Sequence, residues 1–187
     1  MNAKLIGIVG YLGSGKSTLS EAAIHRPELE GKVIRIGFSD PMHSMFAAMG
    51  VPEYILNNKV RWNDPLAILA GNTLRHAFKT LGTEWGRNCI GQDVWTNLAL
   101  TRANSFIIRG QSVIIDNIRF PSEFEAMAAN GARMIALHKP DLVPNLEHES
   151  EKHIHHLQER CSHSVINDGT FNQGVLRMAS VLIEMLT

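Results

Sequence analysis

The sequence predicts an α/β domain of three layers, with a five-stranded parallel sheet between helices. Three observations carry that expectation. Short apolar, β-branched runs recur at Leu5–Val9, Val33–Phe38, Ser112–Asp116, Arg133–His138 and Ser164–Ile166, with helical or polar stretches between them, as parallel βαβ units require. The first run leads without a break into the glycine-rich stretch Gly10-Tyr11-Leu12-Gly13-Ser14-Gly15-Lys16-Ser17-Thr18 and then into a helix. A length of 187 residues suffices for one such core, so a single domain is expected.

The glycine-rich stretch matches the P-loop pattern of Gly, four residues and Gly-Lys-Ser, and strand, loop and helix is the context that pattern needs. The expectation sharpens to a three-layer P-loop NTPase fold. Gly10, Gly13 and Gly15 permit backbone conformations and a close approach to phosphate that side chains forbid. Successive N–H groups then form an anion nest at the positive end of the helix. Gly13, Ser14, Gly15, Lys16, Ser17 and Thr18 are the candidate ATP-binding positions. Lys16 reaches toward the β- and γ-phosphates, and the Ser17 hydroxyl is a candidate Mg²⁺ ligand. The bland alternative is a chance glycine turn.

The remaining elements follow in order. Leu19–His25 reads as the helix after the loop, and 26–32 as a polar connection with Pro27 and Gly31. After the strand at Val33–Phe38, Asp40 is expected as N-cap and Pro41 as first residue of a helix over Met42–Met49, stopped at Gly50-Val51-Pro52. Pro65, Gly71 and the asparagines of 53–72 predict short helices and loops. Leu74–Leu81 reads as a helix, Gly82-Thr83 as a turn, and about 92–108 as a long helix with Val94, Leu98 and Phe106 on its apolar side. Asp116 is expected to end the third strand. Pro121–Asn130 reads as a helix stopped by Gly131, 139–160 as a polar, mobile excursion with some helix, and Thr170–Leu186 as a closing amphipathic helix. Two insertions result, about 39–108 and about 139–162, and both leave from the carboxyl ends of strands, where α/β sheets bind ligands.

Composition excludes several classes. Lys plus Arg and Asp plus Glu are both 18, so no global charge points to nucleic acid or an anionic membrane surface. Cys89 and Cys161 make neither a disulfide framework nor a paired-cysteine metal motif, and a reduced cytoplasm is the expected setting. No apolar run nears the roughly 20 residues that span a bilayer, and the chain enters its first strand at once, so no signal peptide is expected.

Other positions suggest chemistry, each with a structural alternative. Asp116 suits an acid that holds Mg²⁺ or its water shell, or an ordinary strand-end Asp. Arg119 can stabilise charge on a transferred phosphoryl group, or simply pair with Asp116 or Glu123. Arg75 and Arg87 flank Leu81-Gly82-Thr83-Glu84 and can clamp an acceptor phosphate, or be solvated helix-face residues. Trp85 and Trp95 are base-stacking platforms or core. Asp93 can accept from a base or sugar hydroxyl, or sit in a first helical turn. His148, His153, His155, His156, Cys161 and His163 fit no compact zinc spacing, and a polar segment is expected instead.

With these blocks in view, the chain resembles the bacteriophage-type deoxynucleoside monophosphate kinases. The blocks are Gly10–Thr18; Phe38-Ser39-Asp40-Pro41; Leu81-Gly82-Thr83-Glu84-Trp85-Gly86-Arg87 with Asp93-Val94-Trp95; Ile114-Ile115-Asp116-Asn117-Ile118-Arg119-Phe120-Pro121-Ser122-Glu123; and His148-Glu149-Ser150-Glu151 with Val165-Ile166-Asn167-Asp168-Gly169. The resemblance implies transfer of the γ-phosphoryl of ATP, with Mg²⁺, to a deoxynucleoside 5′-monophosphate. It implies a core, an acceptor-binding insertion (about 39–108) and a lid (about 139–162) that close together. Lys16, Arg119 and Asp116 become the expected catalytic residues, and Ser17 and Asp116 the metal ligands. Ser39, Asp40, Arg75, Arg87, Asp93 and Trp95 become the acceptor pocket, and Asn167 and Asp168 the adenine side; Glu151 fits the family's acidic position near the lid, without an assigned role. ATP and the monophosphate are the expected partners, with neither nucleic acid nor membrane involved and a homodimer as an option. The expected location is the cytoplasm, the host's if the gene is a phage's. Lys79 and Asn117 depart from the family pattern, and the lid is poor in arginine. Two rival functions are a kinase of another small acceptor, such as phosphomevalonate or dephospho-coenzyme A, and a non-enzymatic nucleotide switch.

Overall fold

A computed structural model describes residues 3–147 and 149–187 of the chain. Strands β1 (Leu5–Val9), β2 (Val33–Ile36), β3 (Ser112–Ile118), β4 (Arg133–His138) and β5 (His163–Ile166) form one sheet in the order β2-β3-β1-β4-β5, with every pairing parallel. The central strand β1 is buried throughout, which explains its lack of polar residues. Its side chains alternate between two faces. Ile6 and Ile8 join Leu19, Ala23 and Ile24 of α1 (Lys16–Ile24) and Met178, Leu182 and Met185 of α9 (Phe171–Leu186) in one core. Gly7 faces Met127 of α6 (Pro121–Ala129), with Met134 and Ile118 beside it. Helix α9 is opened by a capping box, Thr170 with Gln173, worth about 1 kcal/mol.

The chain divides into two compact units, residues 1–37 with 100–187, and 38–99. The second has its own core of Phe46, Val51, Ile55, Leu56 and Leu74, packed by Trp62, Phe78 and neighbours. Trp62 and Phe78 stack with ring centroids 4.6 Å apart, and His43 lies against both. Its helices are α2 (Asp40–Ala48), α3 (Glu53–Leu56) and α4 (Leu74–Lys79), with single 3₁₀ turns at Lys59–Asn63 and Ala67–Leu69. The long helix α5 runs from Val94 to Ile108.

Several expectations need correction. Ser39, not Asp40, occupies the N-cap of α2, and Asp40 opens the helix. Asp116 does not end its strand, because β3 continues to Ile118. The expected turn at Gly82-Thr83 is absent: helix continues from α4 as a wide π-helix over Thr80–Ile90, carried to its end by an N–H of Gly91 that reaches Gly86 O at 2.9 Å. Its cause is tertiary. The indole N–H of Trp95 donates to Gly82 O at 2.8 Å, and a Cβ at Gly86 would lie 2.5 Å from that same nitrogen. Local propensity reads the glycines as breakers, whereas here they admit an indole. On α5 the buried stripe runs through Trp95, Thr96, Ala99, Leu100 and Ala103, at i, i+1, i+4, i+5 and i+8, and Leu98 is exposed. The 139–160 stretch is also less loose than expected. Of α7 (Glu149–Lys152) and α8 (Ile154–Glu159), the second buries Ile154 and Leu157 completely, and Gln158 donates to Leu137 O of β4 at 2.8 Å. Among the described residues no helix is long and apolar enough to cross a membrane.

Candidate active site

The P-loop turns from the end of β1 into α1. Gly13 and Gly15 take φ of +82° and +98°, a region that L side chains rarely adopt, so the loop's amides can curl toward one centre only with glycine there. Lys16 is buried, and its ammonium donates to Gly10 O at 2.5 Å and Tyr11 O at 2.7 Å, tying the loop across itself. Among the described residues the buried Ser14 Oγ meets no hydrogen-bond partner, leaving a polar atom unsatisfied inside the glycine-rich loop. Ser17 and Thr18, on the first turn of α1, are exposed.

Asp116 is 1 % exposed, and its Oδ2 accepts from Arg35 Nε at 2.7 Å and Ser20 Oγ at 3.2 Å. Ser20 Oγ, with one proton to give, also lies 3.3 Å from Ser17 O, so Ser20 links Asp116 to the turn of α1 that carries Ser17. The exposed Ser17 hydroxyl and the Asp116 carboxylate, linked through Ser20, are hard-oxygen groups of the kind that would suit Mg²⁺, which keeps waters and takes further ligands from phosphates. Among the described residues no group of three or more His, Cys, Asp or Glu forms a metal cluster. Of the histidines considered for zinc, His148 lies outside the described residues, while His153, His155 and His156 approach Glu149 or Glu159.

Arg119 follows β3 and is held at both ends. Its backbone N–H, with that of Phe120, donates to Glu123 Oε2 at 2.8 and 3.2 Å, the reach-back of an N3 glutamate on α6. Its Nη1 donates to Glu151 Oε1 at 2.7 Å. Glu151, 1 % exposed, accepts through its other oxygen from the P-loop N–H of Leu12 at 2.8 Å. The guanidinium of Arg119 thus pairs with Glu151, while Glu123, one of the two partners the sequence suggested, holds its backbone instead. Above the same loop, the Tyr11 phenol has its pKa raised by burial first and then by the charge of Glu151, partly offset by a backbone hydrogen bond at His155. The Asn167 amide donates to Ser14 O at 2.9 Å, bracing the P-loop, while Asp168 pairs with Arg177, which lowers its pKa.

The second unit holds the acceptor candidates on its own elements. Ser39 and Asp40 open α2 and are half-buried. Arg75 is exposed on α4 and donates to Asn63 Oδ1 at 2.7 Å; Arg87 lies half-buried on the π-helix. Both belong to one continuous helical run instead of flanking a turn. Asp93 is exposed just before α5. Trp95 is 4 % exposed with its N–H spent on Gly82, so its face is packed away, whereas Trp85, tilted against it at 6.0 Å, is 44 % exposed. Sequence reading missed Arg35, although an arginine inside the apolar run Val33-Ile34-Arg35-Ile36 is a visible signal of a buried acid nearby.

The profile of the family described as deoxynucleotide monophosphate kinase matches residues 38–176. None of the curated proteins matches the sequence. Among solved structures, dephospho-CoA kinase from Campylobacter jejuni is similar at a TM-score of 0.53, with 12 % identity over 99 % of this chain and 98 % of that one. Shikimate kinase from Bacteroides thetaiotaomicron aligns at a TM-score of 0.46, with 16 % identity over 96 % and 98 % of the two chains. At such identity the first likeness speaks for the fold alone, and the second is too distant to add to it.

Proposed function

This chain belongs to the deoxynucleotide monophosphate kinase family and is a nucleotide kinase; from that premise we propose that it transfers the γ-phosphoryl group of ATP to a deoxynucleoside 5′-monophosphate, with Mg²⁺. The observation that carries this reading is the P-loop at Gly10–Thr18, with its left-handed glycines and buried lysine, at the mouth of α1. Its amides and Lys16 would hold the phosphates of ATP. Ser17 and Asp116 would hold Mg²⁺, which when bound neutralises charge on the phosphate oxygens. The acceptor's own phosphate oxygen is the nucleophile and is ionised at neutral pH, so no general base is needed. What remains for the protein is in-line positioning and electrostatic stabilisation by Lys16 and Arg119.

Arg75, Arg87, Asp93, Ser39 and Asp40 are proposed to bind the acceptor, with the two guanidiniums on its phosphate. Of the two indoles, the exposed Trp85 is the better platform for a base, and Trp95 supports the helix that carries Arg87. The segments at about 39–108 and 139–162 are proposed as acceptor insertion and lid. Asn167 serves by bracing the P-loop at Ser14, which supports an indirect role in ATP binding.

The test is ADP release from Mg-ATP with each of the four common deoxynucleoside monophosphates added separately. Strong stimulation by one or more is expected. ATP binding without stimulation by any of them would redirect the search to a modified nucleotide or another small phosphorylated acceptor.

A further inference from the structure

We infer that Glu151 is a positioning residue for phosphoryl transfer, fixing the guanidinium of Arg119 beside the P-loop. The inference rests on the kinase reading above and extends it to a residue with no assigned part in it. A carboxylate 1 % exposed is costly to bury unless both oxygens are satisfied. Glu151 meets that condition in one way: Oε1 takes Nη1 of Arg119 at 2.7 Å, and Oε2 takes the Leu12 N–H at 2.8 Å. The cationic head of Arg119 is therefore held one carboxylate's width from the main chain of the phosphate loop. A guanidinium carries five N–H donors. The ion pair engages one nitrogen, and the side chain as a whole remains 27 % exposed, with donors left for an anion arriving at the loop. Glu123 fixes the Arg119 backbone in turn, so two acids determine where one cation points.

The same carboxylate tethers the 139–162 segment. Glu151 lies on α7, and Leu142 of the same segment sits by the loop, close enough that a Cβ added at Gly13 would come within 3.6 Å of its Cδ1. An arginine-poor lid thus contributes to the reaction through an acid that orients an arginine of the core.

The experiment is a double-mutant cycle of Glu151→Gln and Arg119→Ala, read on acceptor-dependent turnover and on Mg-ATP affinity, with thermal unfolding of each variant alongside. Glutamine keeps the size but offers one acceptor and one NH₂ donor, so one of the two bonds must be lost. Glu151→Gln is expected to lower kcat by roughly 10–100-fold, with the monophosphate KM within about twofold of wild type. It is also expected to weaken ATP binding. The double variant should lose no more kcat than Arg119→Ala alone, since in transfer Glu151 acts through that arginine, whereas on ATP affinity the two losses should be less than additive, the Leu12 bond making its own contribution. Should Glu151→Gln not fold, Glu151→Asp, which keeps the charge on a shorter arm, enters the same cycle. Wild-type kcat in a folded Glu151→Gln, additive losses, or a raised kcat from release of an arginine that the acid had sequestered would each overturn the inference. If the wild type phosphorylated no monophosphate, the functional reading would fail by itself, and coupling measured on ATP affinity would still decide whether Glu151 positions Arg119.

Discussion

The P-loop edge of the sheet and the helical unit of residues 38–99 carry their charged groups in opposite ways. At the P-loop edge the charges are buried and paired: Lys16 on loop carbonyls, Asp116 with Arg35, Glu151 with Arg119. In the helical unit, Arg75 and Asp93 are exposed and Arg87 half-buried, on a helix whose width is set by Trp95. On the proposed function the P-loop edge would meet the same triphosphate in every turnover, so pairs fixed in advance suit it, with Lys16 exchanging its loop carbonyls for phosphate oxygens. On the same proposal the acceptor differs by its base, and exposed groups on a unit with its own core can vary without altering the packing of the P-loop edge. Buried pairs also make the P-loop edge fragile, since removing one partner strands a charge, whereas truncating an exposed arginine leaves the fold intact.

The largest effect expected of that contrast is on Lys16. Lys16→Ala, which removes a cation held by neutral carbonyls and so strands no charge, should lower turnover by about 10²–10³-fold or more while the domain stays folded, as checked by steady-state kinetics and circular dichroism. Near-wild-type turnover would break the comparison at its rigid end. Arg87→Ala should raise the monophosphate KM by roughly 10–100-fold and leave that for ATP nearly unchanged, the loss of one charge-assisted contact. An unchanged acceptor KM would remove Arg87 from the pocket. Gly86→Ala tests the helix beneath it. A methyl group 2.5 Å from the Trp95 indole should cost about 1–3 kcal/mol in urea unfolding, with the loss relieved when Trp95 is trimmed to Phe.

The smallest effect is a pH dependence of the helical unit. Burial against Trp62 and Phe78 lowers the His43 pKa from its ordinary 6.5, with Asp40 opposing the shift and Lys59 adding to it. The unfolded chain then binds the proton first. Stability should therefore fall as pH drops below about 6.5 and level off below the folded value. His43→Phe should flatten that slope, and an unchanged profile would show that another group sets it.

Much of the architecture was legible because its signals are local. Five apolar runs, a Gly-x₄-Gly-Lys-Ser loop and the amphipathic period of Thr170–Leu186 lie within the elements they specify or a few residues from them. The glycine loop was legible because its pattern lies in spacing along the chain, as at Lys16 and Ser17, and Arg119 was read correctly as following the third strand, whereas Asp116 was read as a strand end that β3 runs past. The candidate site was illegible where two distant segments share a partner. Leu12 and Glu151 are separated by 139 positions, Arg35 and Asp116 by 81, and Arg119 and Glu151 by 32.

By itself, then, the sequence determined the strands, the phosphate loop and the succession of helices, because backbone conformation and amphipathic period are properties of neighbouring residues. Only the tertiary structure decided which acid holds which arginine, and that a glycine pair becomes a wide helix instead of a turn. Both depend on strand order β2-β3-β1-β4-β5 or on an indole arriving from outside the segment, and neither leaves a trace in local propensity.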